Sequence, residues 1–134
     1  MIQKIAHIGV AVKNIEETEK FYAEVLKMAI HDRENLKDIK AAFIPVGDTA
    51  IELLQSTIPE GVINKFIERR GEGIHHIAYQ VDDIEKTLED LKARGVPLID
   101  EKPRRGAHNS KVAFLNPKGS YGVLIELVEP DQKH

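Results

Sequence analysis

The sequence has no cysteine among its 134 residues. This absence excludes disulfides, thiolate metal ligands, CxxC redox motifs and a cysteine nucleophile, so any chemistry must use histidine, carboxylate or hydroxyl groups. A surplus of basic residues is also missing, because 19 Lys and Arg stand against 22 Asp and Glu and give a net charge of −3. The broad positive field that attracts nucleic acids and anionic membranes is therefore absent, and we expect neither as a partner.

Long apolar segments are lacking as well. The first ten residues have neither the basic start nor the apolar stretch of a signal peptide, and no run approaches the length of a membrane span. We therefore expect a cytoplasmic protein. With 42% hydrophobic and 31% charged residues, the composition is that of a folded chain, and the length fits one domain over residues 1–134.

What the sequence does contain is an internal repeat. In segments 7–16 and 76–85, which are offset by 69 throughout, a histidine opens an alternating strand. An Asn or Asp then follows as a helix N-cap, and an Ile-Glu pair begins a helix. The apolar segment 51–54 recurs later as 125–128, and extra residues in the turn-rich loop 116–122 account for the larger offset there.

The repeat predicts two βαβββ modules, about 3–56 and about 73–130, joined by a linker helix over about 57–72. Half a chain buries too little surface to be comfortably stable alone, so we expect an α+β fold in which the two modules pair, and a homodimer. Further strands are predicted near 31–36 and 97–102, and Pro59 is expected in the first turn of the linker helix. The first helix is predicted to pack one apolar face on the core, through Ile15, Phe21, Tyr22, Val25 and Leu26.

Two histidines and two glutamates occupy equivalent places in the modules: His7, Glu52, His76 and Glu126. Small residues follow each histidine on the same strand face and leave room for a ligand. The glutamates lie inside apolar strands with no Lys or Arg within two residues, and an unpaired buried carboxylate is costly, so a cation is one solution. Two His and two carboxylates suit one divalent ion such as Co, Ni, Zn, Mn or Fe.

Each of these residues also has a simpler explanation when taken singly. A strand histidine is more often a hydrogen-bonded core residue, and a glutamate can pair with a distant arginine. The recurrence of all four at equivalent places favours the metal site.

On these residues the whole chain resembles the vicinal oxygen chelate superfamily, also called the glyoxalase superfamily, and most closely its methylmalonyl-CoA epimerases. The similarity is carried by three stretches: 71–84, 106–118 and 122–127. The resemblance implies a glyoxalase-like α+β fold, in which paired βαβββ modules form a cupped mixed sheet around a metal. It implies that His7, His76 and Glu126 are ligands, and it places Glu52 where some members have Gln.

The implied reaction interconverts (R)- and (S)-methylmalonyl-CoA by a metal-assisted 1,1-proton transfer through an enolate. Glu126 is the first candidate for one base, and Glu52 is the symmetrical candidate for the other. One departure concerns a second acid/base Glu proposed for some relatives, since this chain has Ala41 in its place. The alternatives are glyoxalase I (lactoylglutathione lyase) and a non-catalytic small-molecule-binding protein of the same fold.

Several polar residues outside this set carry weaker signals. The basic segment Lys102, Arg104, Arg105 and Lys111 could meet the phosphates of a CoA thioester substrate, although such clusters are more often solvated surface. His75 alternates with His76 along a strand, so packing is favoured over ligation. His108 falls in a predicted loop.

Overall fold

The computed structural model describes residues 1–132, in which three α-helices and eight β-strands are found. The last two residues of the predicted 1–134 domain lie outside the described part. The chain divides into a first unit, His7–His75, and a second unit, which comprises Met1–Ala6 and the chain from His76 onward. No helix within residues 1–132 is long and apolar enough to span a membrane. The elements in chain order are β1 (Ile2–Ala11), α1 (Ile15–Lys20), β2 (Asp32–Leu36), β3 (Ile39–Val46), β4 (Thr49–Ser56), α2 (Val62–Arg70), β5 (Gly73–Val81), α3 (Ile84–Ala93), β6 (Arg104–Arg105), β7 (Lys111–Phe114) and β8 (Ile125–Glu129).

The first unit contains strands in the order β2-β3-β4-β1. Strands β1 and β4 run parallel, and the β2–β3 and β3–β4 pairs are antiparallel. Because side chains alternate along a strand, one face of this sheet is apolar and packs under α1. That core consists of Val12, Ile15, Ala42, Ile44 and Leu53. The other face carries His7 and Glu52.

The second unit repeats the arrangement with strands in the order β5-β8-β7-β6. Here β5 and β8 run parallel, and β7 is antiparallel to both β8 and β6. The apolar face packs against α3 through a core of Val81, Ile84, Leu88, Ala113, Leu115 and Leu127. The opposite face carries His76 and Glu126. The βαβββ order that the repeat predicted is therefore present in both halves of the chain.

The starts of α1 and α3 are fixed by the same two contacts. Asn14 and Asp83 each accept a hydrogen bond from the backbone N–H three residues later, at 3.0 and 3.1 Å. The first N–H of each helix donates to a side chain near the end of the last strand of its module, Gln55 at 2.7 Å and Glu129 at 3.0 Å. Two otherwise unpaired donors are thus satisfied at each helix start, which confirms the predicted N-caps.

The predicted packing of the first helix is wrong over its second half. The α-helix ends at Lys20, and Phe21–Val25 forms a π-helical turn closed by the Leu26 N–H to Phe21 carbonyl bond at 3.1 Å. A π turn places more residues in each turn, so the later side chains rotate away from the core stripe. Tyr22 still packs on the core, whereas Phe21, Val25 and Leu26 are 49%, 63% and 47% exposed.

Two further boundaries differ from the sequence prediction. The linker helix begins at Val62, with Pro59 outside it, because the Ser56 hydroxyl accepts the Asn64 N–H at 3.0 Å and caps the helix there. Segment 97–102 forms no strand beyond a single bridge from Leu98. The strand predicted near 31–36 is present as β2.

Candidate metal centre

The first unit holds a buried His–Glu pair, called here the first pair. His7 lies on β1 and Glu52 on β4, with 3.0 Å between Nε2 and Oε1, and the side chains are 14% and 6% exposed. Glu52 is the register partner of Gly9, which shares the His7 face of β1. A residue without a side chain therefore lies beside the carboxylate, on the face of the sheet that carries the imidazole.

The second unit holds an equivalent second pair. His76 on β5 and Glu126 on β8 also approach to 3.0 Å between Nε2 and Oε1, and the side chains are 4% and 9% exposed. Ala78 takes the place of Gly9, because it is the register partner of Glu126 and lies two residues after the histidine. The four predicted residues thus form two matching pairs, one in each unit.

A phenylalanine lies beside the glutamate of each pair. Neither phenylalanine was predicted from the sequence as a site residue. Phe43 on β3 is the register partner of Glu52, and Phe114 on β7 is the register partner of Glu126. Register partners share one face of a sheet, so each ring borders its carboxylate. The Phe114 ring stands edge-on to the His76 imidazole with 5.5 Å between centroids. The sequence did contain the signal, since both phenylalanines follow an alanine at corresponding places in the repeat.

The donor set of the two pairs fits a divalent cation. In the forms that bind a metal, two carboxylates and two neutral imidazoles together carry a charge of −2. A single ion of charge +2 would balance it. Nitrogen and oxygen donors of this mixed kind suit borderline divalent metals, and each of the four residues offers one ligand atom.

Ala41 lies on the same face as the first pair. Its register partner on β4 is Leu54, two residues from Glu52, so the Ala41 methyl group occupies a place from which a longer acid would face the pair. On the neighbouring strand β2, the register partner of Ala41 is Glu34, which is half-buried and lies on the same face of the sheet. The sequence analysis did not single out Glu34, since the weak patterning of this strand left its faces unassigned.

Two other histidines, His75 and His108, lie outside the two pairs. The His75 ring contacts Phe66 of α2 edge-on, with 4.9 Å between centroids, which agrees with the packing that was favoured for it. His108 is exposed in the 3₁₀ turn Ala107–Asn109, where its backbone adopts a left-handed conformation with φ of 55°.

A second group of neighbouring acidic side chains, Asp83, Glu85 and Glu129, stabilises the start of α3 and pairs with Lys111. Asp83 caps α3, and Glu129 accepts the first N–H of that helix. Glu85 lies 3.1 Å from Lys111, and this hydrogen bond is the main reason why the pKa of Lys111 is raised. These exposed or half-exposed acids therefore need no metal to explain their proximity.

Comparison with known proteins identifies the family. Residues 6–114 match the family described as the glyoxalase/bleomycin resistance protein/dioxygenase superfamily. The chain belongs to this superfamily. Its fold is the glyoxalase-like α+β fold, as the resemblance implied.

Within the superfamily, several proteins that this chain resembles over nearly its full length are epimerases. The ethylmalonyl-CoA/methylmalonyl-CoA epimerase of Cereibacter sphaeroides is 34% identical over 131 residues, which cover 95% of this chain and 98% of that protein. The crystal structure of the methylmalonyl-CoA epimerase from Mycobacterium tuberculosis is 34% identical, with a TM-score of 0.93 over 97% of this chain and 89% of that one. A methylmalonyl-CoA epimerase in complex with methylmalonyl-CoA and NH4+ is 29% identical, with a TM-score of 0.92 over 98% of this chain and 97% of that one. The chain is thus homologous to isomerases over nearly its full length.

Proposed function

We propose that this chain is a methylmalonyl-CoA epimerase whose two His–Glu pairs hold one divalent metal ion. The observation that carries the proposal is that the two units hold equivalent His–Glu pairs. Both contacts are buried, measure 3.0 Å and lie at equivalent strand positions. They occur in a chain that matches epimerases over nearly its full length, and one of those relatives is seen with methylmalonyl-CoA bound.

The proposed ligands are His7, Glu52, His76 and Glu126. Cobalt, nickel, zinc, manganese and iron all suit this donor set, so the residues leave the choice of metal open. When bound, the ion would act as a Lewis acid that lowers the energy of negative charge on the substrate oxygens. Gly9 and Ala78, the register partners of the two glutamates, place little or no side chain beside these carboxylates.

Epimerisation requires one group to remove the α-proton and another to return a proton to the opposite face. The C–H electron pair passes to the substrate as an enolate, and the carbon recovers a C–H bond of inverted configuration. We assign the two roles to Glu126 and Glu52. Each carboxylate has a second oxygen besides the one that faces its histidine, and that oxygen can carry the proton.

Glu52 is favoured as the second base because the neighbouring position on its face cannot serve. Ala41 has no proton to give, and Glu34 lies two strands away from β4. Adjacent strands are about 4.8 Å apart, so the Cα atoms of Glu34 and Glu52 are separated by about 10 Å or more. Glu52, as a proposed metal ligand, is therefore placed closer to the reacting carbon than Glu34 is.

The experiment that tests the proposal uses each pure epimer of methylmalonyl-CoA in D2O with metal-loaded protein. We expect the wild type to invert both epimers and to place deuterium at the α-carbon. In Glu126→Gln and Glu52→Gln, inversion should fall by at least about 100-fold, which is the contribution of a positioned acid or base. Each variant should still exchange the α-proton of one epimer without inverting it, and the two variants should favour opposite epimers.

The controls separate the proposed roles from simple loss of the metal. The metal content of every variant is measured on the same sample, and glutamine can still ligate through its amide oxygen. Glu34→Gln should retain inversion of both epimers. If Glu34→Gln instead shows one-sided exchange and Glu52→Gln does not, Glu34 is the second base.

The alternatives make different predictions in the same assay. A glyoxalase I would convert the hemithioacetal of glutathione and leave methylmalonyl-CoA unchanged. A non-catalytic binding protein would turn over neither. The homodimer and the cytoplasmic location stay predictions from the sequence.

A further inference from the structure

The two arginines of β6 lie on opposite faces of the sheet of the second unit. Arg104 is the register partner of Val112, and Arg105 is the register partner of Lys111. Because side chains alternate along β7, Val112 and Phe114 share one face, and Lys111 lies on the other. Arg104 therefore shares the face that carries the second pair.

Arg104 is connected to His76 through one aromatic ring. Its Cζ atom lies 5.5 Å from the centroid of the Phe114 ring, and that ring centroid is 5.5 Å from the centroid of the His76 imidazole. A guanidinium over an aromatic face is attracted by the ring quadrupole. The cation is thus held near the proposed metal site but separated from it by the phenyl ring.

Asp100 holds both Arg104 and the Phe114 backbone in place through hydrogen bonds. Its Oδ1 accepts a hydrogen bond from Arg104 Nε at 3.1 Å, and its Oδ2 accepts the Phe114 backbone N–H at 2.9 Å. Asp100 is 17% exposed, whereas Arg104 is 57% exposed. A guanidinium has five N–H donors, and the Asp100 contact uses the one on Nε, so the terminal NH2 groups can bind an oxyanion that approaches from solvent.

Two other cations of the basic segment, Lys111 and Arg105, lie on the opposite face from Arg104. Lys111 pairs with Glu85 at 3.1 Å and with Glu129 at 3.9 Å, and both carboxylates help to raise its pKa. Arg105 shares the Lys111 face. The two arginines of β6 thus lie on opposite faces, and Arg104 is the one that shares a face with His76.

We propose that Arg104 binds a phosphate group of the CoA part of the substrate and so positions the thioester at the second pair. The inference rests on the proposed function. The substrate carboxylate adjoins the reacting carbon and belongs beside the metal, whereas the phosphates are joined to the thioester by the long pantetheine arm. A phosphate-binding group must stand away from the reacting carbon on the same face, which is where Phe114 and Asp100 hold Arg104.

The test compares two substrates and two matched variants. Methylmalonyl-CoA is compared with methylmalonyl-pantetheine, which lacks the phosphates, for the wild type, Arg104→Ala and the neighbouring control Arg105→Ala. For Arg104→Ala we expect KM for the CoA thioester to rise at least about tenfold, as for loss of a charged hydrogen bond, with kcat nearly unchanged. KM for the pantetheine thioester should not change, and Arg105→Ala should resemble the wild type with both substrates.

Each contrary result has a defined meaning. Equal losses on both thioesters would show that Arg104 supports the structure rather than the phosphate, and unchanged kinetics, or an equal CoA-specific loss in Arg105→Ala, would also overturn the proposal. Arg104→Lys should recover part of the loss, since it keeps the charge without the planar fork. If the wild type epimerises neither thioester, the proposed function fails. Equilibrium binding of free CoA and of pantetheine to the same variants then decides the Arg104 proposal independently, with the same expected pattern.

Discussion

Glu126 and His76 lie 3.0 Å apart across parallel strands, and both side chains are at least nine-tenths buried. The same contact between Glu52 and His7 repeats it in the first unit. A cation bound by both carboxylates would interact favourably with their charge in these buried positions, so the pairs are suited to gain stability from it.

Metal binding is therefore expected to stabilise the fold. With free Co²⁺ or Zn²⁺ at 100 times its dissociation constant, the free energy of unfolding should rise by about 2.7 kcal/mol. This corresponds to an increase in Tm of roughly 10 °C, measurable by calorimetry. Glu126→Ala should lose most of the increase, whereas Glu68→Gln, a change on α2 outside the two pairs, should keep it. An equal increase in Glu126→Ala would place the stabilising ion elsewhere.

The small residues beside the glutamates are expected to control access to the metal. Ala78 is fully buried and pairs with Glu126, so Ala78→Val adds two methyl groups where the side chains are closely packed. Overpacking of this kind costs about 1 to 3 kcal/mol and should displace the carboxylate. We expect metal affinity, measured by titration calorimetry, to fall at least tenfold. Ala93→Val on the exposed end of α3 is the control, and unchanged affinity in Ala78→Val would contradict this account.

The helix caps should contribute to stability and not to catalysis. Asp83→Ala removes the acceptor for the third N–H of α3 and should lower the free energy of unfolding by about 1 kcal/mol in urea titrations. Asn14→Ala should have a similar effect, because it removes the equivalent acceptor at α1. The rate of epimerisation by the folded protein should stay within about twofold of the wild type. A large loss of kcat in either variant would assign the caps a part in the site.

The repeat made the βαβββ order of elements and the four paired residues predictable, because both can be read from the pattern of residues along the chain. Alternation put His7 and His76 on their strands, and apolar neighbours marked Glu52 and Glu126 as buried. The caps at Asn14 and Asp83 were readable for the same reason, since a cap acts over three residues.

The parts that could not be predicted depend on tertiary register. The sequence places Phe43 and Phe114 at corresponding points of the repeat, but the position of each beside a glutamate depends on the register of β3 with β4 and of β7 with β8. The division of Arg104 from Arg105 depends on a strand of two residues, which is too short to show a pattern. The Ile99 and Asp100 N–H groups both donate to the Phe114 carbonyl, and the Asp100 side chain accepts the Phe114 N–H. These bonds take the place of regular strand pairing over 97–102, where only the bridge from Leu98 forms.

The most direct test of the central claim is the number of divalent ions bound per chain, measured by titration calorimetry with Co²⁺ and by elemental analysis after removal of free metal. If the two pairs hold one ion together, the wild type binds one per chain, and His7→Ala and His76→Ala each lose tight binding. If each pair binds separately, the wild type binds two ions and each variant retains one, which would contradict the shared metal site. Binding of one ion that survives either substitution would contradict it as well.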